Sequence, residues 1–220
     1  MTNKTALVIG ATGLVGEELL KQLLQSKNYS RVIALTRKPL SSQNSKLENP
    51  VVDFDKPEQY NAIKADDVFC AMGTTITKAK SQTAFRVVDF EIPLRVAGFA
   101  VNNGATKFLL VSSLGADAKS QIFYSRTKGE LEEALAKLKY KVLITFRPSI
   151  LIGDRKEERT GEAIGQFAAK KLSFLFAGPL AKYKGTPVDL LARVMIKLAN
   201  GNMQGQNIIE NDEIFVLDKK

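Results

Sequence analysis

The stretch Ala6-Leu7-Val8-Ile9-Gly10-Ala11-Thr12-Gly13-Leu14-Val15-Gly16 decides the fold. Its four leading apolar residues read as a buried strand. Glycines 10, 13 and 16 then match G-x-x-G-x-x-G. The first glycine permits a tight turn, the second lets backbone approach a pyrophosphate, and the third lets a helix pack close to the sheet. Residues 14–25 follow as that helix, with Val15, Leu19, Leu20, Leu23 and Leu24 on one apolar face. A helix start placed there presents free N–H groups and a positive dipole end to phosphates. Gly10, Thr12, Gly13, Leu14, Val15 and Gly16 are therefore candidate cofactor contacts.

Outward from this turn the pattern repeats. Arg31–Leu35, a strand beginning at Val51-Val52, Asp67–Met72, Lys107–Val111 and Val142–Phe146 read as further strands. Between them, Lys38–Asn49 is a polar, serine-rich loop, and Pro57 suits the first turn of a short helix. Residues 81–102 read as one long helix with Ser81 as N-cap, which Pro93 should kink or break. Residues 123–138 read as another. Continuous apolar strands alternating with helices predict an α/β fold, a doubly wound parallel sheet of Rossmann type. Ligands then bind beyond the carboxyl ends of the strands. The tail has helical patterns near 161–172 and 187–200 and a last apolar stretch, Ile214–Leu217. It reads as a small C-terminal lobe (about 156–220) on a core of about 1–155, all within one domain.

Composition narrows the chemistry. The 220 residues contain one cysteine, Cys70, and no histidine. That excludes an internal disulfide, a Ser-His-Asp triad and imidazole or thiolate-cluster metal sites. No metal is expected. The net charge is +9, with 21 basic and 14 acidic side chains in residues 1–150. The basic residues cluster only as pairs, such as Arg37-Lys38, so no nucleic-acid partner is expected. No window approaches a membrane span, and the first residues do not resemble a signal peptide. A cytoplasmic location is the expectation.

Two further groups carry chemistry. Thr36-Arg37-Lys38 ends the second strand, where an acidic residue would bind the ribose 2′-hydroxyl. Two cations there would instead pair with a 2′-phosphate, which favours NADP(H) over NAD(H). Ser112-Ser113 follows the fifth strand, and Tyr124 and Lys128 stand four apart on the next helix, one face of it. An ammonium beside a phenol favours its ionised form. Such a tyrosine can exchange a proton with a carbonyl oxygen while serine holds that oxygen. Tyr60 and Lys64 repeat the spacing without a serine pair and read as structural.

The motifs GATGLVG (10–16), TRK (36–38), VVDF (51–54), CAMGTT (70–75), VSSLGAD (111–117), YSRTKGELE (124–132) and FRPSILIGDR (146–155) resemble the atypical branch of the short-chain dehydrogenase/reductase superfamily. Within it they are most similar to the Tat-interacting tumour-suppressor-like oxidoreductases and their bacterial relatives. The resemblance implies that Asp53 and Phe54 border the adenine, and that Ala71, Met72, Gly73 and Thr74 line the cofactor. It places Ser113, Tyr124 and Lys128 on the catalytic positions, with Ser112 as the other candidate serine; Ser112, Tyr124 and Lys128 are also candidate cofactor contacts, Lys128 through the nicotinamide ribose. Pro148, Ser149 and Ile150 would pass near the nicotinamide. Structural alternatives exist: Asp53 capping a turn, Gly73 ending a strand, Pro148 stopping one. Two departures stand out. Asp89 falls near the position of the family's helix asparagine, and the C-terminal part is shorter than in sugar-nucleotide enzymes. The expectation is an NADPH-dependent oxidoreductase acting on a small carbonyl or alcohol, as monomer or homodimer. The alternative is an NADP(H)-binding regulator acting through a protein partner. Phe167, Phe174, Phe176 and Tyr183 suggest an apolar substrate wall, and Cys70 reads as packed and inert.

Overall fold

The computed structural model describes residues 3–153 and 182–219. In chain order, β1 (Lys4–Ile9) leads through the glycine turn into α1 (Leu14–Gln25) and β2 (Tyr29–Leu35). Next come β3 (Leu47–Glu48), a 3-10 turn at Pro57–Gln59 and β4 (Asp67–Cys70). Two short helices, α2 (Ile76–Ala79) and α3 (Gln82–Arg86), precede a π turn at Val87–Glu91 and α4 (Ile92–Asn102). Then follow β5 (Lys107–Val111), α5 (Phe123–Ala136), β6 (Val142–Arg147) and β7 (Leu151–Ile152). The chain closes with β8 (Thr186–Pro187), α6 (Val188–Ala199), β9 (Gly205–Glu210) and α7 (Asn211–Lys219).

Among the described residues, seven strands form one sheet in the order β3-β2-β1-β4-β5-β6-β9, every pair parallel. This is the Rossmann arrangement, with the order reversing between β1 and β4. Each sheet face buries its own apolar layer. On one, Val15, Leu19 and Leu23 of α1 meet Leu191, Met195 and Ala199 of α6 beneath Ala6, Val8 and Phe69. On the other, Val96, Ala97 and Ala100 of α4 and Leu131 and Leu135 of α5 cover Leu7, Ile9, Phe108 and Leu110. Alternate residues of β1 serve opposite layers, as a strand's period of two requires. Residues 205–210 continue the main sheet by pairing with β6 from Val142↔Gly205 to Arg147↔Glu210. β7 and β8 form a separate two-stranded pair.

Three local readings change. The third strand lies at Leu47–Glu48, inside the stretch expected as loop, and Val51 makes only an isolated bridge with Thr36. Pro50 has no N–H to donate, which divides the ladder between them. Ser81 does cap α3, accepting from the Ala84 N–H at 3.1 Å, but Pro93 does not break the helical path. The π turn takes up the defect immediately before it, because the Asp89 carbonyl has no Pro93 N–H to receive. Ile214–Leu217 belongs to α7. The helix expected near 161–172, together with Phe167, Phe174 and Phe176, lies outside the described residues.

Candidate functional site

The carboxyl ends of β1, β2, β4, β5 and β6 meet around the glycine turn. Gly10 has φ +84°, and a Cβ there would sit 2.6 Å from backbone atoms of Ala71 and Met72. A Cβ on Gly16 would lie 2.0 Å from the Gly10 carbonyl oxygen. The Gly13 N–H donates to that same oxygen at 2.9 Å. Gly13 is the N-cap of α1 and brings no side-chain hydrogen bond. The first-turn N–H groups of Leu14, Val15 and Gly16 therefore have no intrahelical partner. Thr12 and Gly13 are exposed, Leu14 is half-buried, and Val15 and Gly16 are buried. Such a cradle, closed to side chains and lined by free donors, fits a dinucleotide pyrophosphate.

At the end of β2, the buried Thr36 hydroxyl donates to the Lys38 carbonyl at 2.7 Å. The Asn49 amide donates to Thr36 Oγ1 at 2.8 Å and to the Ala34 carbonyl at 2.7 Å. These bonds fix the loop that carries Arg37 and Lys38. Both cations are exposed, and among the described residues neither forms an ion pair. Asp53 is exposed, and its Oδ1 accepts from the Asp55 N–H at 3.0 Å, the turn-capping arrangement. Phe54 is buried against Tyr60, with ring centroids 5.6 Å apart, so its side chain belongs to the core. Arg95 of α4 donates to the Phe54 carbonyl at 2.9 Å and holds this loop down. Tyr60 is likewise structural, its hydroxyl donating to Phe54 O at 2.9 Å, while Lys64 is exposed.

Beyond β4, Ala71 and Met72 are half-buried, Gly73 is exposed and Thr74 is half-buried. The Thr74 N–H donates to Asp89 Oδ2 at 2.8 Å. The other oxygen, Asp89 Oδ1, stands 2.7 Å from Lys128 Nζ, and both side chains are buried. Burial alone would push the Lys128 ammonium down. The Asp89 carboxylate, with Tyr124 and Cys70 contributing, outweighs it and raises the lysine above its ordinary value. Tyr124 lies one helical turn earlier, exposed, with its ring 5.8 Å from that of Phe85.

The two serines differ in their commitments. Ser112 is buried and its hydroxyl bonds to the Glu132 carboxylate, which Arg147 also grips at 2.6 Å. Arg147 further donates to Glu210 at 3.0 Å, tying β6 to the end of β9. Ser113 is half-buried, and among the described residues its hydroxyl reaches only the Leu114 carbonyl, at 3.3 Å. Pro148, Ser149 and Ile150 form the next edge of the cleft. The Pro148 carbonyl accepts from the Leu114 N–H at 2.9 Å, and Ile150 is exposed. The fully buried Asn211 organises this edge: Oδ1 accepts from the Ser149 N–H at 3.0 Å and from the Thr186 hydroxyl. Its amide donates to the Lys184 carbonyl at 2.7 Å. Sequence reasoning did not single out Asn211 or Glu132. The available signal was position, since Asn211 directly follows a strand at its carboxyl end.

Comparison with known proteins agrees with this geometry. A family model described as NAD(P)H-binding matches residues 10–144. The rat protein HTATIP2 is 35% identical over 225 residues, covering 100% of this chain and 91% of its own. The Candida albicans protein FMP52, mitochondrial, is 30% identical, covering 92% of this chain and 90% of its own. Among solved structures, MoeE5 in complex with UDP-glucose and NAD superposes with a TM-score of 0.71 at 16% identity, covering 93% of this chain and 75% of its own. The Thermotoga maritima UDP-glucose 4-epimerase gives 0.69 at 16%, with 98% and 80% covered. These two establish a shared fold.

The cytoplasmic expectation does not stand, because relatives matching along most of the chain carry "mitochondrial" in their names. A single unpaired cysteine and an ordinary soluble composition suit any reducing aqueous compartment, so they could not discriminate. Among the described residues no helix is long and apolar enough to cross a membrane. With its glycine cradle, its sheet order and a relative 35% identical along the chain, the protein belongs to the NAD(P)H-binding family.

Proposed function

We propose that this protein is an NADPH-dependent oxidoreductase acting on a small carbonyl compound or the corresponding alcohol. The observation that carries the reading is the placement of exposed Tyr124 one turn from buried Lys128, beside the Gly73–Thr74 turn of the cofactor cleft. Gly10, Thr12, Gly13, Leu14, Val15 and Gly16 would hold the pyrophosphate by backbone donors. Arg37 and Lys38, exposed and without a carboxylate partner among the described residues, would take a 2′-phosphate. Ala71 to Thr74 and Pro148 to Ile150 would line the cofactor by backbone. A bound nicotinamide supplies or accepts the hydride. Tyr124 would give a proton to the substrate oxygen or take it back. Ser113, whose hydroxyl is bound only weakly, would orient that oxygen. Ser112 is engaged by Glu132 and supports the strand end.

Tyr124→Phe tests the reading. Turnover with a panel of small aldehydes and ketones should fall at least a hundredfold, the lower range of general acid–base contributions (about 10²–10⁴). NADPH affinity should stay within about twofold, ~0.4 kcal/mol. Unchanged turnover overturns the assigned proton donor.

A further inference from the structure

Asp89 occupies an uncommon position. It lies in the π turn, fully buried, and its two oxygens serve two different parts of the cleft. Oδ2 accepts from the Thr74 N–H at 2.8 Å, and Oδ1 stands 2.7 Å from Lys128 Nζ. Gly73 lies directly against the pair: a Cβ there would be 3.2 Å from Asp89 Oδ1 and 3.6 Å from Lys128 Nζ. The opposed charges thus sit just beneath exposed backbone at the floor of the cleft, with Tyr124 and Cys70 as the other titratable groups facing Lys128 among the described residues.

An oxidised nicotinamide ring carries a positive charge and a reduced ring does not. A lone buried ammonium at this floor would disfavour the oxidised form. A lone carboxylate would favour it. Charges under a partly buried cleft are weakly screened, so either imbalance changes affinity measurably. We propose that Asp89 is a positioning residue that neutralises Lys128 in place and thereby sets the relative affinity for oxidised and reduced dinucleotide. This rests on the reading that the cleft holds a nicotinamide dinucleotide. The same carboxylate ties Lys128 to the Gly73–Thr74 turn, so charge and cleft geometry are set together.

The test compares wild type, Asp89→Asn, Lys128→Met and the double variant. Each is titrated with NADP⁺ by calorimetry and with NADPH by fluorescence, at about pH 6, to favour the protonated amine that burial opposes once Asp89 is removed. Asparagine keeps an acceptor for the Thr74 N–H, so Asp89→Asn removes charge with little change of shape. Its ratio of oxidised to reduced dissociation constants should rise about tenfold, ~1.4 kcal/mol, the scale of one weakly screened unbalanced charge. Lys128→Met should lower the ratio by a similar factor, and the double variant should return it to within about twofold of wild type. Single variants that move the ratio the same way, or not at all, overturn the inference while leaving the cofactor reading intact. Wild-type protein that binds neither form overturns the cofactor reading and the inference with it. No turnover enters the measurement.

Discussion

The carbonyl oxygen of Gly10 occupies the space that any Cβ at Gly16 would need, 2.0 Å from its ideal position. This contact lets α1 start hard against the end of β1 and aims its free N–H groups into the cleft. Gly16→Ala must push the helix away from the turn. It should cost about 1–3 kcal/mol, the usual range for forced overpacking, and abolish dinucleotide binding. Gly13→Ala meets the same oxygen at 3.3 Å, which a small shift relieves, so it should fold nearly as well as wild type. Denaturant titration of both variants checks the order. Equal stability for the two would contradict the packing argument.

Ser112 and Ser113 should separate stability from activity. Ser112→Ala leaves the buried Glu132 carboxylate one donor short and should cost about 1–3 kcal/mol. Ser113→Ala removes only a long contact to Leu114 and should leave stability within about 0.5 kcal/mol, while turnover falls. Thermal or urea unfolding alongside kinetics gives both readouts. A stability loss at Ser113 with none at Ser112 would reverse their assignment.

Much of this architecture is legible in the residues themselves. β5 is an apolar run whose core faces both sides, and α1 shows its buried stripe as Val15, Leu19, Leu20 and Leu23. Such elements announce themselves because burial selects their residues. β3 and β9 do not. Each lies at a sheet edge, and Gln206 and Asn207 sit where a central strand would be apolar. The π turn was hidden because Pro93 marks a defect without saying how the backbone absorbs it. Within the site, the glycine turn, the Arg37-Lys38 pair and the Tyr124/Lys128 spacing are local patterns. The Asp89–Lys128 ion pair and the grip of Asn211 on Ser149 join distant segments, and only the packing of the π turn on α5 and of α7 on β6 creates them.

Cys70 gives the fold an alkaline weak point. Burial pushes its thiol from 9.0 up to about 11, only partly offset by the Met72 backbone and Lys128. The folded state therefore holds this proton more tightly than the unfolded chain. Stability from it is complete below the starting value of 9.0 and is lost as pH rises through about 11. The loss amounts to roughly 2–3 kcal/mol at most. Cys70→Ala should unfold with a shallower pH dependence between about pH 8 and pH 11. Parallel pH profiles for variant and wild type would contradict a buried, protonated thiol.

The central claim is that the cradle holds a phosphorylated nicotinamide dinucleotide, with Arg37 choosing between the two forms. The most direct test titrates wild type and Arg37→Ala with NADPH and with NADH at one moderate ionic strength. Wild type should bind NADPH at least tenfold more tightly, about 1.4 kcal/mol, and Arg37→Ala should lose most of that preference while still binding NADH. Equal affinities in wild type, or a preference that survives the loss of Arg37, would contradict the account.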